Sequence, residues 1–180
     1  VDIRYLGTTP YVLTSTNMDV VSVLKNENGA WNTVGQLQSS SGSKSALLYG
    51  DASGRPWVVF RNSSRPQIQY FENGAWAALD TTQLKGTMDT SSVFQTMDFK
   101  VIDGVPVLAF QTIKNGKGIR VYAHCKGNQA WEPLAGQTLA ACATCRYPQL
   151  AVGAAGTIYL SYRDGDNGNK MSVKVFARAP

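Results

Sequence analysis

Apolar and β-branched residues in this chain come in short runs of four or five, many of them alternating with polar positions, and the runs are separated by Gly, Asn, Asp and Pro. No window keeps a 3.6-residue apolar period for three turns, so helices should be nearly absent and the chain reads as all-β. The runs recur in a fixed order. A first set covers residues 3–6, 46–49, 99–102 and 149–152. A second follows a turn and is anchored by Pro10, Pro56, Pro106 and Ile158. A third covers residues 20–24, 68–71, 119–122 and 172–176, and a fourth opens on Trp31, Trp76 and Trp131. The anchors of the second set lie 46, 50 and 52 residues apart, the signature of a repeated supersecondary unit with loops of varying length.

The clearest copy is Asn28-Gly29-Ala30-Trp31, which returns letter for letter as Asn73-Gly74-Ala75-Trp76 and more loosely as Gly127-Asn128-Gln129-Ala130-Trp131. Four units of four short strands predict a β-propeller, either a four-bladed ring or part of a larger propeller. The repeats fall at about residues 1–36, 45–80, 97–136 and 148–180, and one domain over residues 1–180 is expected. Because the fourth unit stops before any tryptophan-led strand, its blade should lack the outer strand and leave an open edge, through which self-assembly is conceivable. Half of an eight-bladed ring made by two chains is the alternative geometry. The most apolar runs, those of the second set, should lie inside each blade. Trp31, Trp76 and Trp131 are expected to wedge between adjacent blades as packing residues.

The phrase from Tyr159 to Phe176, which contains Arg163-Asp164-Gly165-Asp166-Asn167-Gly168-Asn169-Lys170, resembles the repeat of secreted bacterial and algal propeller proteins, as does Ala30-Trp31-Asn32-Thr33-Val34-Gly35. In that family the unit runs roughly Pro-Tyr-Val-Ala-Tyr, Asp, a Gly/Asn-rich turn, Lys-x-x-Val-x-x-Phe, Asn-Gly-x-Trp and Val-Gly. The likeness covers essentially the whole chain but consists of fold motifs. It implies an extracellular, surface-attached or cell-wall module, often one part of a longer polypeptide, and carries no catalytic signature. Thr14-Ser15-Thr16-Asn17-Met18-Asp19 departs from it, standing where the family has an acidic Gly/Asn turn. The initial Val1 suits a segment excised from a longer secreted polypeptide.

At 180 residues, 43% hydrophobic and 16% charged, the chain can bury a good core, and no apolar run reaches the length of a membrane span. Three cysteines leave an odd thiol. An extracellular disulfide of Cys142 with Cys145, or of either with Cys125, is the expected use. A zinc site of the three cysteines with His124 is disfavoured, because His124 and Cys125 are neighbours and would point to opposite faces of a strand. Asp164 to Asn169 lacks the closing Glu of a calcium loop and reads as a turn, so no metal and no cofactor is expected. The +5 net charge suggests anionic partners in general, but the basic residues do not form a stripe interleaved with aromatics, which argues against nucleic acid.

Within a four-stranded blade, the loops joining second to third and fourth to first strands share one end, and here they are long and varied. They place Arg61, Asn62, Arg65, Lys114, Lys117, Arg163, Asp164 and Asp166 on that end as candidate ligand-binding residues. Arginine forks there suit carboxylate or sulfate groups. Asn62-Ser63-Ser64 is an N-glycosylation sequon. No catalytic residue is assigned. The single His has no placeable triad, and of the carboxylates a glycosidase would need, Asp51, Asp89, Asp98, Asp103 and Asp164 are available, with Asp51 and Asp103 recurring at turns. The Ser-x-Asp-x-Gly-x-x-Trp turn of sialidase-type propellers is missing. The expected function is therefore an extracellular module binding glycan or a cell-wall or surface protein, with a structural assembly part as the rival and a glycan-active enzyme third.

Overall fold

The structure, a computed structural model, describes residues 1–16, 20–37, 44–62, 65–84, 97–112, 118–134, 140–141 and 144–176. They form four antiparallel sheets in two compact units, residues 1–81 and 82–180. In the first unit β1 (Asp2–Leu6), β2 (Thr9–Thr16), β3 (Val20–Glu27) and β4 (Ala30–Gln36) pair in sequence order, as do β5 (Lys44–Gly50), β6 (Pro56–Asn62), β7 (Arg65–Glu72) and β8 (Ala75–Leu79). In the second unit β9 (Met97–Ile102), β10 (Val105–Thr112), β11 (Gly118–Cys125) and β12 (Ala130–Pro133) form the third sheet, with β13 (Ala140–Ala141) also paired to β11. The fourth sheet has three strands, β14 (Arg146–Val152), β15 (Ile158–Asp164) and β16 (Lys170–Phe176). The described helical residues are two single 3-10 turns, Thr82–Leu84 and Ala154–Gly156.

Each sheet is a meander because its turns are written into the sequence. Asn28 and Gly29 take φ values of 54° and 85°, and Asn73 and Gly74 take 52° and 81°, so both Asn-Gly pairs close two-residue hairpins between Glu27 and Ala30 and between Glu72 and Ala75. Positive φ at both central residues matches the right-handed twist of the flanking strands, and Asn and Gly reach it at least strain. The runs anchored at Pro10, Pro56, Pro106 and Ile158 become the second strands, paired on both sides. Buried from Pro106 to Thr112, β10 shows why these runs are so apolar. In the third sheet β12 pairs with residues 122–125 of β11, the Leu134 N–H past its end still donates to the Val121 carbonyl at 2.9 Å, and β13 pairs with residues 118–119.

Successive sheets pack by a repeated device. Asp2 Oδ2 in β1 accepts the Leu48 N–H of β5 at 3.1 Å, and Asp98 Oδ2 in β9 accepts the Leu150 N–H of β14 at 2.6 Å. Around these bonds the first unit buries Leu13, Val21, Val23, Leu48, Val58 and Phe60 in one cluster, and the second buries Val107, Ala109, Val121, Leu150, Leu160 and Phe176 in another. Asp98 is itself buried. Asp98→Ala should lower stability by about 1–3 kcal/mol, since the Leu150 N–H loses its acceptor away from water. A drop in the urea midpoint with an unchanged slope is the expected readout, and an unchanged midpoint would show that water replaces the carboxylate.

The tryptophan wedge is realised at Trp76, whose Nε1 donates to the Val34 carbonyl of the preceding sheet and whose ring packs on Phe71. Gly35 makes room for it: a Cβ there would lie 3.0 Å from Trp76 Cδ1, and the backbone at Gly35 is left-handed, φ 64°. Trp131 is buried, edge-on to His124, and its backbone N–H donates to Gln83 Oε1. Trp31 departs from the expectation. Its ring is half exposed, because the face of the first sheet that carries it is opposite the one covered by the second sheet.

Candidate functional site

At the long-loop end of the second sheet, β7 and β8 frame a cleft of about 430 Å³ lined by Arg65, Gln67, Ile68, Gln69, Ala78, Leu79, Asp80 and Thr81. The register sets Ile68 opposite Leu79 and Gln69 opposite Ala78, so an apolar strip is flanked by amides, with Arg65 at the start of β7 and Asp80 and Thr81 just past β8. Gln67 Oε1 is shielded from solvent and has no hydrogen-bond partner among the described residues. A buried amide oxygen without a donor costs free energy. Among the described residues the lining carries one cation, one carboxylate, three neutral hydrogen-bonding side chains and three apolar ones.

Of the residues expected on this end, Arg65 lines the cleft and Arg61 does not. The Arg61 side chain is buried in the sheet, where β6 pairs its backbone with Pro66. Asn62 of the sequon ends β6 opposite Arg65, in a strand rather than in the loop. Lys114, Lys117, Asp89 and Cys142 lie outside the described residues. In the second unit Arg163, Asp164 and Asp166 sit at the β15–β16 hairpin. Asp164 is committed there, with Oδ1 accepting the Asp166 and Asn167 N–H groups at 3.1 and 3.3 Å and Oδ2 accepting the Ser172 hydroxyl at 3.1 Å. It is a turn residue. Cys125 is a free thiol, pushed up from its ordinary value by burial and by the Glu132 carboxylate. Among the described residues no group of three or more His, Cys, Asp and Glu side chains is placed to hold a metal ion.

Sequence reasoning passed over Gln67, Gln69, Asp80 and Thr81, because it sought charged loop residues while the cleft is made by strand ends. The local signal was there: Arg65-Pro66-Gln67-Ile68-Gln69 alternates polar and apolar immediately after the loop.

The short-turn end of the same sheet holds a second charged cluster. Asp51 Oδ1 accepts the backbone N–H groups of Ser53 and Arg55 and the Ser53 hydroxyl, while Oδ2 accepts Arg55 Nε at 2.8 Å and Trp57 Nε1 at 3.1 Å. Arg55 also pairs with Glu72 at 2.8 Å, and its guanidinium lies 5.2 Å from the ring centroids of both Trp57 and Tyr70. Burial pushes the Asp51 carboxyl up, but the hydrogen bonds from Ser53, Trp57 and Arg55 outweigh it and hold the group well below the usual carboxylate range. These bonds tie the turn after β5 to Trp57 of β6 and Glu72 of β7, which makes this a structural clasp.

The solved structures that resemble the chain decide the fold. A lectin from Aleuria aurantia, crystallised as a mutant with Fucα1-6GlcNAc, matches over 96% of this chain and 61% of its own at 14% identity, with a TM-score of 0.61. An endo-arabinase from Bacteroides thetaiotaomicron matches over 99% of this chain and 74% of its own at 16% identity, TM-score 0.56. The fold is the β-propeller. Its four sheets are blades, the fourth lacking an outer strand among the described residues. The chain spans only 38% of another match, a GH43B enzyme of the Bacteroides ovatus xyloglucan locus, at 15% identity and a TM-score of 0.52. No family model and no curated protein matches the chain. No described helix is long and apolar enough to cross a membrane.

Proposed function

We propose that this propeller is an extracellular glycan-binding module, and that the cleft between β7 and β8 of the second blade takes a neutral, hydroxyl-rich saccharide. The observation that carries the reading is the lining: two glutamines, an arginine, an aspartate and a threonine around Ile68 and Leu79. Vicinal sugar hydroxyls donate and accept at once and match planar amide, guanidinium and carboxylate groups, while the C–H face of a pyranose covers the aliphatic strip. Arg65 and Asp80 offset one another, so the cleft favours a neutral ligand over the polyanion that the net charge alone suggests. The glycan-bound Aleuria lectin among the structural neighbours supports the same class of ligand.

Binding is favoured over hydrolysis on this blade. Glycoside cleavage uses a pair of carboxyl groups, and among the described residues Asp80 is the one carboxylate of the lining. For an extracellular chain, Cys142 and Cys145 are the natural disulfide, since Cys125 is free.

Screening neutral and anionic glycans by array, followed by calorimetry on the best binder, tests the reading. Arg65→Ala and Gln67→Ala should each weaken binding about tenfold, the loss of one or two hydrogen bonds to a polar ligand. Unchanged affinity in both variants would remove the cleft from consideration.

A further inference from the structure

Blade-to-blade packing is seen twice within the chain, and the repeat shows which positions it covers. In the third blade Ile119, Val121 and Ala123 of β11 stand opposite Gln111, Ala109 and Val107 of β10, and all three are buried in the cluster shared with the fourth blade. Their equivalents on β16 are Met171, Val173 and Val175, opposite Arg163, Ser161 and Tyr159 of β15. These three apolar side chains are 61–64% exposed, and Tyr159 is exposed beside them. The opposite face of the same blade, with Leu150, Ile158, Leu160 and Tyr162, is buried against the third. One face of the fourth blade thus has the composition of a blade interface and no sheet of its unit upon it.

The complementary surface is on the first blade. In the second blade Leu48, Val58 and Trp76 face back onto the first. The register makes Ile3, Val12 and Trp31 their equivalents, since Ile3 pairs with Val12 as Leu48 pairs with Val58. Ile3 is 63% exposed, its face-mate Tyr5 is 73% exposed, and Trp31 is 49% exposed. Ile3 and Tyr5 of β1 and Trp31 of β4 lie on one face of the sheet, with Val12 and Leu24 half-buried between them, and exposed large apolar side chains gathered on one face mark an interaction surface.

We propose that the exposed face of the fourth blade is a docking surface for a second copy of this chain, which meets it with the Ile3, Tyr5 and Trp31 face of its first blade. The occupant follows from the repeat. Within each unit an apolar forward face of this kind is covered by the backward face of the next blade, while the exposed Met171, Val173 and Val175 supply a forward face and the exposed Ile3, Tyr5 and Trp31 a backward one. Such a head-to-tail contact is heterologous, so it links copy to copy until the rotation closes a ring. The surface is on different blades from the saccharide cleft, so either reading can fail without the other.

Sedimentation velocity on the chain and on two variants, Val173→Asp and Ile3→Asp, tests this. At about 50 µM, where an interface of micromolar affinity is populated, the wild type should sediment as a dimer or larger closed assembly. Each variant should be weakened about a hundredfold, since both place a carboxylate in an apolar contact. Both side chains are exposed in the single chain, so circular dichroism should be unchanged. Mixed together, the two variants should regain association, because one retains an intact first blade and the other an intact fourth. A monomeric wild type would overturn the proposal, showing the faces covered within one chain or by another partner. So would an assembly indifferent to both substitutions, or a mixture that stays monomeric.

Discussion

Trp76→Ala lowers the stability of the unit formed by residues 1–81 by about 3 kcal/mol, whereas Trp31→Ala at the equivalent repeat position costs less than about 1 kcal/mol in the dilute chain. The difference lies in what each indole touches. Trp76 fills the seam between two blades, bonds the Val34 carbonyl and stands against Gly35 and Phe71, so truncation opens a cavity and removes a hydrogen bond together. Trp31 presents half its surface to solvent and loses little when cut back. Guanidinium denaturation followed by tyrosine and tryptophan fluorescence gives both values. Equal losses would mean that the two rings share one environment. Where copies associate, Trp31→Ala should loosen the assembly, an effect separable from stability by its dependence on protein concentration.

Asp51→Ala should cost about 2–4 kcal/mol at neutral pH, because it leaves the buried Trp57 indole N–H and the Arg55 guanidinium without their shared acceptor. The pH dependence has a definite sign. The Asp51 carboxyl is held below its unfolded value, so its contribution is fully present above the unfolded value of about 4 and is lost as pH falls towards the native one. The gap in denaturation midpoint between wild type and Asp51→Asn should therefore be wide at neutral pH and narrow at about pH 2, where the clasp is partly protonated in the wild type as well. A gap independent of pH would show that the carboxylate's charge contributes nothing and that shape alone matters.

Both effects arise from turns and seams whose residues the sequence displays openly. The Asn-Gly pairs need positive φ, the Gly and Pro punctuation bounds each strand, and the alternation within strands separates the two faces of a blade, all of which are local requirements readable from a single chain. Among the described residues the fourth blade has three strands, whose order β14-β15-β16 follows the same punctuation. Less legible was the site. Arg61 and Arg65 look alike as loop cations, yet β6 turns Arg61 into the sheet while Arg65 opens β7 at the rim of the cleft. Which side of a pleat faces a void depends on how β7 and β8 end together, a relation between segments more than ten residues apart.

What the sequence by itself determined is the repeated four-stranded unit, its order, its turns and the strand that stays inside, because each of these follows from backbone preferences and a period of two. Tertiary structure alone decided which of three identical-looking tryptophans is wedged, which carboxylates are consumed as interblade acceptors, and which apolar faces remain uncovered. The physical reason is that burial belongs to pairs of surfaces: Val121 and Val173 occupy the same place in the repeat, yet Val121 is packed in the cluster shared with the next blade of its unit while Val173 is 61% exposed.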